Sequence, residues 1–152
     1  MRPFVTSDEP AVWALHKAAL VSTGADRGDG PWDDDLRDIT SNYAHAEGAF
    51  LVVTEEGALV AMGGVRQADD PETAEIKRMR VAPGYQRQGL GGGLLHALLD
   101  EARGRGYCRV VLDTTTVQIA AQRLYKSAGF TEVAREPIDG FTVIRYEKRL
   151  LD

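Results

Sequence analysis

The stretch Val81-Ala82-Pro83-Gly84-Tyr85-Gln86-Arg87-Gln88-Gly89-Leu90-Gly91-Gly92, with what flanks it, constrains this chain more than any other feature. The strand-like run Ala74 to Val81 enters a turn rich in glycine and proline. Leu90, Leu94, Leu95, Leu98 and Leu99 then form a wide apolar stripe that requires a helix running to about Arg103, and Gly104 and Gly106 end it. Beyond them Arg109 to Asp113 centres on Val110-Val111-Leu112, an apolar run suited to a strand covered on both faces. Strand, helix, strand in that order places a crossover in the middle of a mixed sheet.

The flanking segments fit such a sheet. Ser7, followed by Asp8, Glu9 and Pro10, reads as a capped helix start, and Val12, Leu15 and Ala19 follow at helical spacing. Gly24 to Asp34 reads as a loop, with Leu36, Ile39 and Tyr43 as a second helical stripe after it. At Ala49 the period changes to strands at Phe50 to Thr54 and Ala58 to Gln67, joined by a turn at Glu55-Glu56-Gly57. Gln118 to Ala128 reads as a helix stopped by Gly129, and Phe130 to Glu136 and Phe141 to Lys148 as an antiparallel pair across Pro137-Ile138-Asp139-Gly140. The expected fold is α/β, a mixed and mostly antiparallel sheet of six or seven strands flanked by about four helices, in one domain spanning residues 1–152.

Size and charge narrow the function. The chain has 152 residues, 43% of them hydrophobic, enough for one core, and no apolar run approaches the roughly 20 residues that span a bilayer. Met1-Arg2-Pro3-Phe4 is not followed by the apolar core of a secretory signal, and the lone Cys108 cannot form an internal disulfide, so a cytoplasmic location is expected. A net charge of −5 argues against a broad nucleic-acid surface. His16, His45 and His96 have no metal-ligand spacing, so no metal is expected.

A glycine-rich turn that opens a helix exposes successive backbone N–H groups at the positive end of the helix dipole, a setting that suits a phosphate or pyrophosphate. Two familiar phosphate loops fail on counting. Gly84 and Gly89 have P-loop spacing, but Leu90 and Gly91 stand where Lys and Ser or Thr are needed. Gly89-Leu90-Gly91 begins a dinucleotide fingerprint, but Leu94 occupies its third glycine position.

Gln86-Arg87-Gln88-Gly89-Leu90-Gly91 resembles the Gln/Arg-x-x-Gly-x-Gly/Ala signature of the GCN5-related N-acetyltransferases (GNAT). The resemblance extends to Ala74–Val81 as the family's fourth strand, Arg109–Thr114 as its fifth, and Leu124-Tyr125-Lys126-Ser127-Ala128-Gly129-Phe130 as its Leu-Tyr-x-x-x-Gly-Phe helix end. It implies transfer of an acetyl group from acetyl-CoA to a primary amine by direct attack, without a metal and without nucleic-acid or membrane partners. The backbone amides of Gln88, Gly89, Leu90, Gly91 and Gly92 would hold the coenzyme A pyrophosphate, with Gln86 and Arg87 at its edge. Val81 would meet the pantetheine arm between two splayed strands, and the Met79 N–H would point at the thioester carbonyl. Gln118 stands where the family commonly has an asparagine that contacts the cofactor.

The same resemblance makes Tyr125 the general acid that protonates the departing thiolate and Glu75 the base that accepts the ammonium proton, with Glu72 and Asp113 as weaker base candidates. Asp26, Asp29, Asp33, Asp34 and Asp35 could attract a cationic acceptor, whereas Lys77, Arg78 and Arg80 could pair with an acceptor carboxylate. The motifs are shared by a silent acyl-CoA sensor, by an enzyme using another acyl chain or a hydroxyl acceptor, and by family members that form homodimers.

Overall fold

The period change at Ala49 produces a sheet of seven strands, seen in a computed structural model that describes residues 1–25, 30–45, 47–86 and 88–150. The strands are β1 (Arg2–Pro3), β2 (Ala49–Glu55), β3 (Ala58–Gln67), β4 (Thr73–Val81), β5 (Arg109–Thr115), β6 (Thr131–Ile138) and β7 (Phe141–Arg149). They lie in the order β1-β2-β3-β4-β5-β7-β6. Every neighbouring pair is antiparallel except β4–β5, which the crossover helix α3 (Leu90–Gly104) makes parallel. The other α-helices are α1 (Glu9–Thr23), α2 (Ile39–Asn42) and α4 (Ile119–Ser127), and none is long and apolar enough to cross a membrane.

Each face of the sheet carries its own core. On one, Leu94, Leu95, Leu98, Leu99 and Ala102 of α3 bury against Ile76, Val110 and Leu112. On the other, Val12 and Leu15 of α1 meet Leu36, Ile39, Tyr43, Phe50, Val52 and Met62. Burying one such leucine contributes about 2 kcal/mol, so the α3 stripe alone anchors the crossover. Strand β2 shows the two-residue alternation directly, since Phe50 and Val52 belong to the α1 side and Leu51 and Val53 to the α3 side.

Two glycines let both layers approach closely. A Cβ on Gly63 would lie 2.8 Å from Leu98 Cδ1 and 3.1 Å from Met79 Cγ, and one on Gly64 would lie 2.7 Å from Tyr43 Cδ1.

The sequence reading differs from the fold at several points. Strand β1 is only two residues long and has no periodicity to betray it. Ser7 does not cap α1; a 3₁₀ turn at Thr6–Asp8 precedes the helix, and Asp8 accepts from the Val5 N–H at 2.9 Å. The loop that begins at Gly24 gives way to a 3₁₀ helix over Pro31–Arg37, which carries Leu36.

Candidate active site

The site begins where β4 and β5 part. Their ladder pairs Thr73–Ile76 with Arg109–Leu112 and goes no further, although both strands continue. On its other edge β4 carries a bulge: Ile76 and Lys77 pair with Val65 and Gly64, Arg80 with Met62, and the register skips Arg78 and Met79. Arg78 adopts φ +63°, a left-handed conformation costly for a residue with a Cβ. The register therefore gives Met79 no paired residue on either neighbouring strand.

Arg78 is held in that conformation by its side chain. Its Nε donates to Asp35 Oδ2 at 2.9 Å, its terminal nitrogens reach Asp35 Oδ1 and the Trp32 carbonyl, and Asp33 Oδ1 lies 3.5 Å away. Burial alone would raise the Asp35 carboxyl, but Arg78's hydrogen bonds and charge and the Tyr43 hydroxyl outweigh it and hold it at about 2. Asp33 also meets His16 Nε2 at 2.9 Å. His16 is fully buried on α1, and burial, then the Arg80 charge, pull its imidazole down to about 4 despite Asp33.

These contacts engage two of the aspartates expected to attract a cationic acceptor. Asp33 and Asp35 face inward as internal counter-ions, and Asp34 pairs with Arg37. Asp26 and Asp29 lie outside the described residues, as does Arg87.

Two cavities meet at the parting. One, of about 480 Å³, is lined by Val81, Gln86 and the Gly89–Gly92 segment at the start of α3, and by α4 opposite. The other, of about 560 Å³, opens between β4 and β5 and is bordered by Glu75, Lys77, Asp113 and Arg145. Both share Met79, Arg80, Gln118, Ala121 and Tyr125.

The first cavity suits a phosphate. Gly89 caps α3 with φ +79° and no side-chain hydrogen bond, and a Cβ on Gly84 or Gly89 would meet nothing within 4 Å. The opening amides of a 15-residue helix are thus left for an anion. Gln86 Nε2 reaches the Val81 carbonyl at 3.4 Å, while Gln88 is exposed and reaches back to the Gly84 carbonyl at 3.5 Å. The Gln118 side-chain oxygen accepts from the Thr115 N–H at 3.2 Å and hydroxyl at 2.9 Å, so it ties the end of β5 to α4.

Tyr125 is 6% exposed on α4, with its ring against Phe130 and Tyr146. Burial pushes its phenol up to about 12, with Arg80 opposing. It therefore stays protonated at working pH, available to donate. Glu75 lies on the β4 face turned towards α1 and accepts from Arg66 Nε at 2.6 Å, a cross-strand pair. Asp113 is half-exposed on the wall of the second cavity, and partial burial raises its carboxyl. Glu72 is exposed and borders neither cavity.

Residues 12–130 match the acetyltransferase (GNAT) family. The chain belongs to that family.

Among relatives of this GNAT chain, human N-acetyltransferase 8 is 34% identical over 140 residues, covering 83% of this chain and 56% of that protein. Xenopus tropicalis N-acetylaspartate synthetase is 35% identical over 100 residues, covering 65% and 37%. This chain thus spans about half the length, or less, of the curated relatives it matches. Among solved structures, yncA from Salmonella typhimurium with its cofactor acetyl-CoA is 26% identical, with a TM-score of 0.82 over 99% of this chain and 93% of that one. A Staphylococcus aureus GNAT acetyltransferase shares the fold at a TM-score of 0.87, 21% identity and coverage of 97% and 96%.

Of the residues that the GNAT motifs named, Gln86, Gly89, Leu90, Gly91, Gly92 and Tyr125 line one cavity. Sequence reasoning missed the bulge at Arg78 and Met79 and the buried His16–Asp33 contact. The run Lys77-Arg78-Met79-Arg80, three cations in four strand positions, was the available signal of an irregular strand.

Proposed function

We propose that this protein is an acetyl-CoA-dependent N-acetyltransferase that moves an acetyl group to a primary amine by direct attack. The observation that carries this reading is the meeting of a phosphate-suited cavity and a polar cavity at Met79 and Tyr125. The likeness to yncA, solved with acetyl-CoA, supports the donor, and the names of the curated relatives support the reaction class.

Acetyl-CoA would lay its pyrophosphate on the amides of Gln88–Gly92 and its pantetheine arm between β4 and β5. Gln86 and Val81 would border that arm, Gln118 would position the strand end beside it, and Arg87 would add charge at the pyrophosphate. The acetyl group would then reach the junction and the amine would enter through the second cavity.

Each residue there has a defined task. The Met79 N–H donates to the carbonyl oxygen, which gains charge as the amine nitrogen attacks. Glu75 takes the proton from the incoming ammonium, directly or through water, so that nitrogen has a free lone pair. As the new C–N bond forms and the C–S bond breaks, the Tyr125 hydroxyl donates its proton to the departing sulfur, and the proton shed by the acetylated nitrogen restores the phenol. No covalent enzyme intermediate forms, and Cys108 lines neither cavity.

The test is release of CoA thiol from acetyl-CoA over a panel of amines, amino acids, polyamines and basic peptides, with acetyl-CoA binding followed by calorimetry. Turnover of an amine supports the reading. Tight binding with no turnover identifies an acyl-CoA sensor, and absence of binding refutes the assignment of Gln86–Gly92.

A further inference from the structure

Five cations border the second cavity, and three already have carboxylate partners. Arg78 is bound to Asp35, Arg109 to Asp70 and Glu147, and Arg145 to Glu136. Lys77 and Arg80 have no carboxylate within 4.0 Å among the described residues. The sole side-chain hydrogen bond of Arg80 there runs from Nη1 to the Met79 carbonyl at 2.9 Å, and its Nε is buried with no partner.

The bulge puts both on one face. Residues three apart on a regular strand point to opposite faces, but the extra residue restores the alternation one position later. Lys77 sits opposite Gly64, whose Cβ direction leads to Tyr43 and Phe50, and Arg80 sits opposite Met62 of the same α1-side core. Two uncompensated positive charges therefore share the face that carries Glu75, and Arg80 also borders the junction with Tyr125.

The anions nearby do not satisfy them. Glu75 is engaged by Arg66, Asp33 by His16, and Asp113 lies 4.0 Å from Arg145. Burial and the neighbouring Arg78 charge lower both the Lys77 ammonium and the Arg80 guanidinium, the latter to about 10, so the guanidinium still holds its charge at neutral pH. Partly buried cations of this kind gain from a bound anion that supplies the missing hydrogen bonds.

We propose that the acceptor is a small amine that also carries a carboxylate, held by Lys77 and Arg80 while its nitrogen lies at the junction beside Met79 and Tyr125. This rests on the acetyltransferase reading above. Lys77 and Arg80 are then the residues that select the acceptor.

The experiment compares amino acids with their own primary amides, such as β-alanine and β-alaninamide or 4-aminobutyrate and its amide, by CoA-thiol release with rates expressed per unprotonated amine. The acids should exceed their amides in kcat/KM by about tenfold or more, the order expected for a hydrogen-bonded charge. Arg80→Gln and Lys77→Gln should each shrink that ratio by about tenfold, and Arg80→Lys should keep part of it. Propionate should compete with the amine where propionamide does not. Acids and amides turned over equally well by the native protein, a ratio unmoved in both variants, or faster turnover of a lysine-bearing peptide than of any acid would overturn the carboxylate assignment while leaving the acetyltransferase standing. Acetyl-CoA binding with no CoA release from any amine would overturn both.

Discussion

His16 makes stability depend on pH in a window that few other groups share. Unfolded, its imidazole takes a proton near 6.5; folded, it does so only at about 4, because burial and the Arg80 charge oppose the imidazolium more than Asp33 favours it. Between those values the unfolded chain binds more protons than the native one, so stability is constant above about 6.5 and falls as pH drops towards 4. At about 1.36 kcal/mol per pH unit, lowering the pH from 7 to 5 should cost about 2 kcal/mol. The ordinary Asp range and the depressed values of Asp8 and Asp35 lie below this window. Urea denaturation at pH 7, 6 and 5 under constant ionic strength measures the slope, and His16→Gln should flatten it although the variant starts less stable. A flat native profile, or an equal slope in the variant, would refute the argument.

Tyr125→Phe should lower kcat about a hundredfold, or about 2.7 kcal/mol in the barrier, because the ring packing survives and only the proton donor is lost. The acetyl-CoA KM should hardly move, and an unchanged kcat would remove Tyr125 from the reaction. Glu75→Gln should lower kcat by at least about a hundredfold with acetyl-CoA binding intact; unchanged turnover would pass the base role to Asp113, whose carboxyl is raised by burial. Gly89→Ala puts a Cβ on a residue at φ +79°, so it should cost about 1 kcal/mol of stability in denaturant titration and weaken acetyl-CoA binding by more than that, since the Cβ projects into open space at the anion site.

The parts of the fold that were legible in the sequence are those where one physical signal dominates. The leucine stripe of α3 and the apolar centre of β5 allowed few alternatives, and Gly57 and Gly140, at φ +81° and +83°, marked two hairpin turns. The bulge was illegible because it needs a left-handed arginine, which local propensity opposes and only tertiary contacts with Asp33 and Asp35 stabilise. The internal ion pairs of Asp33 and Asp35 were hidden for the same reason. A run of acids looks like a solvated loop until its partners, 43 and 45 residues away in sequence, are in place. Lys77 and Arg80 could be noticed as charges, but alternation alone assigns them to different faces.

The bulge also separates what the fold needs from what the chemistry needs. Ile76, Met79 and Val81 pack on the α3 side and Lys77 and Arg80 face α1, so every side chain of β4 except Arg78 would keep its side if Arg78 were deleted. The shortened strand could zip regularly against β3 and bury the same apolar surface. The Met79 amide would then be drawn into the ladder and turned away from the junction. One surplus residue thus spaces the strand in a way that the apolar core does not require, and what its loss would cost the fold is the counter-ion of the buried Asp33 and Asp35 carboxylates.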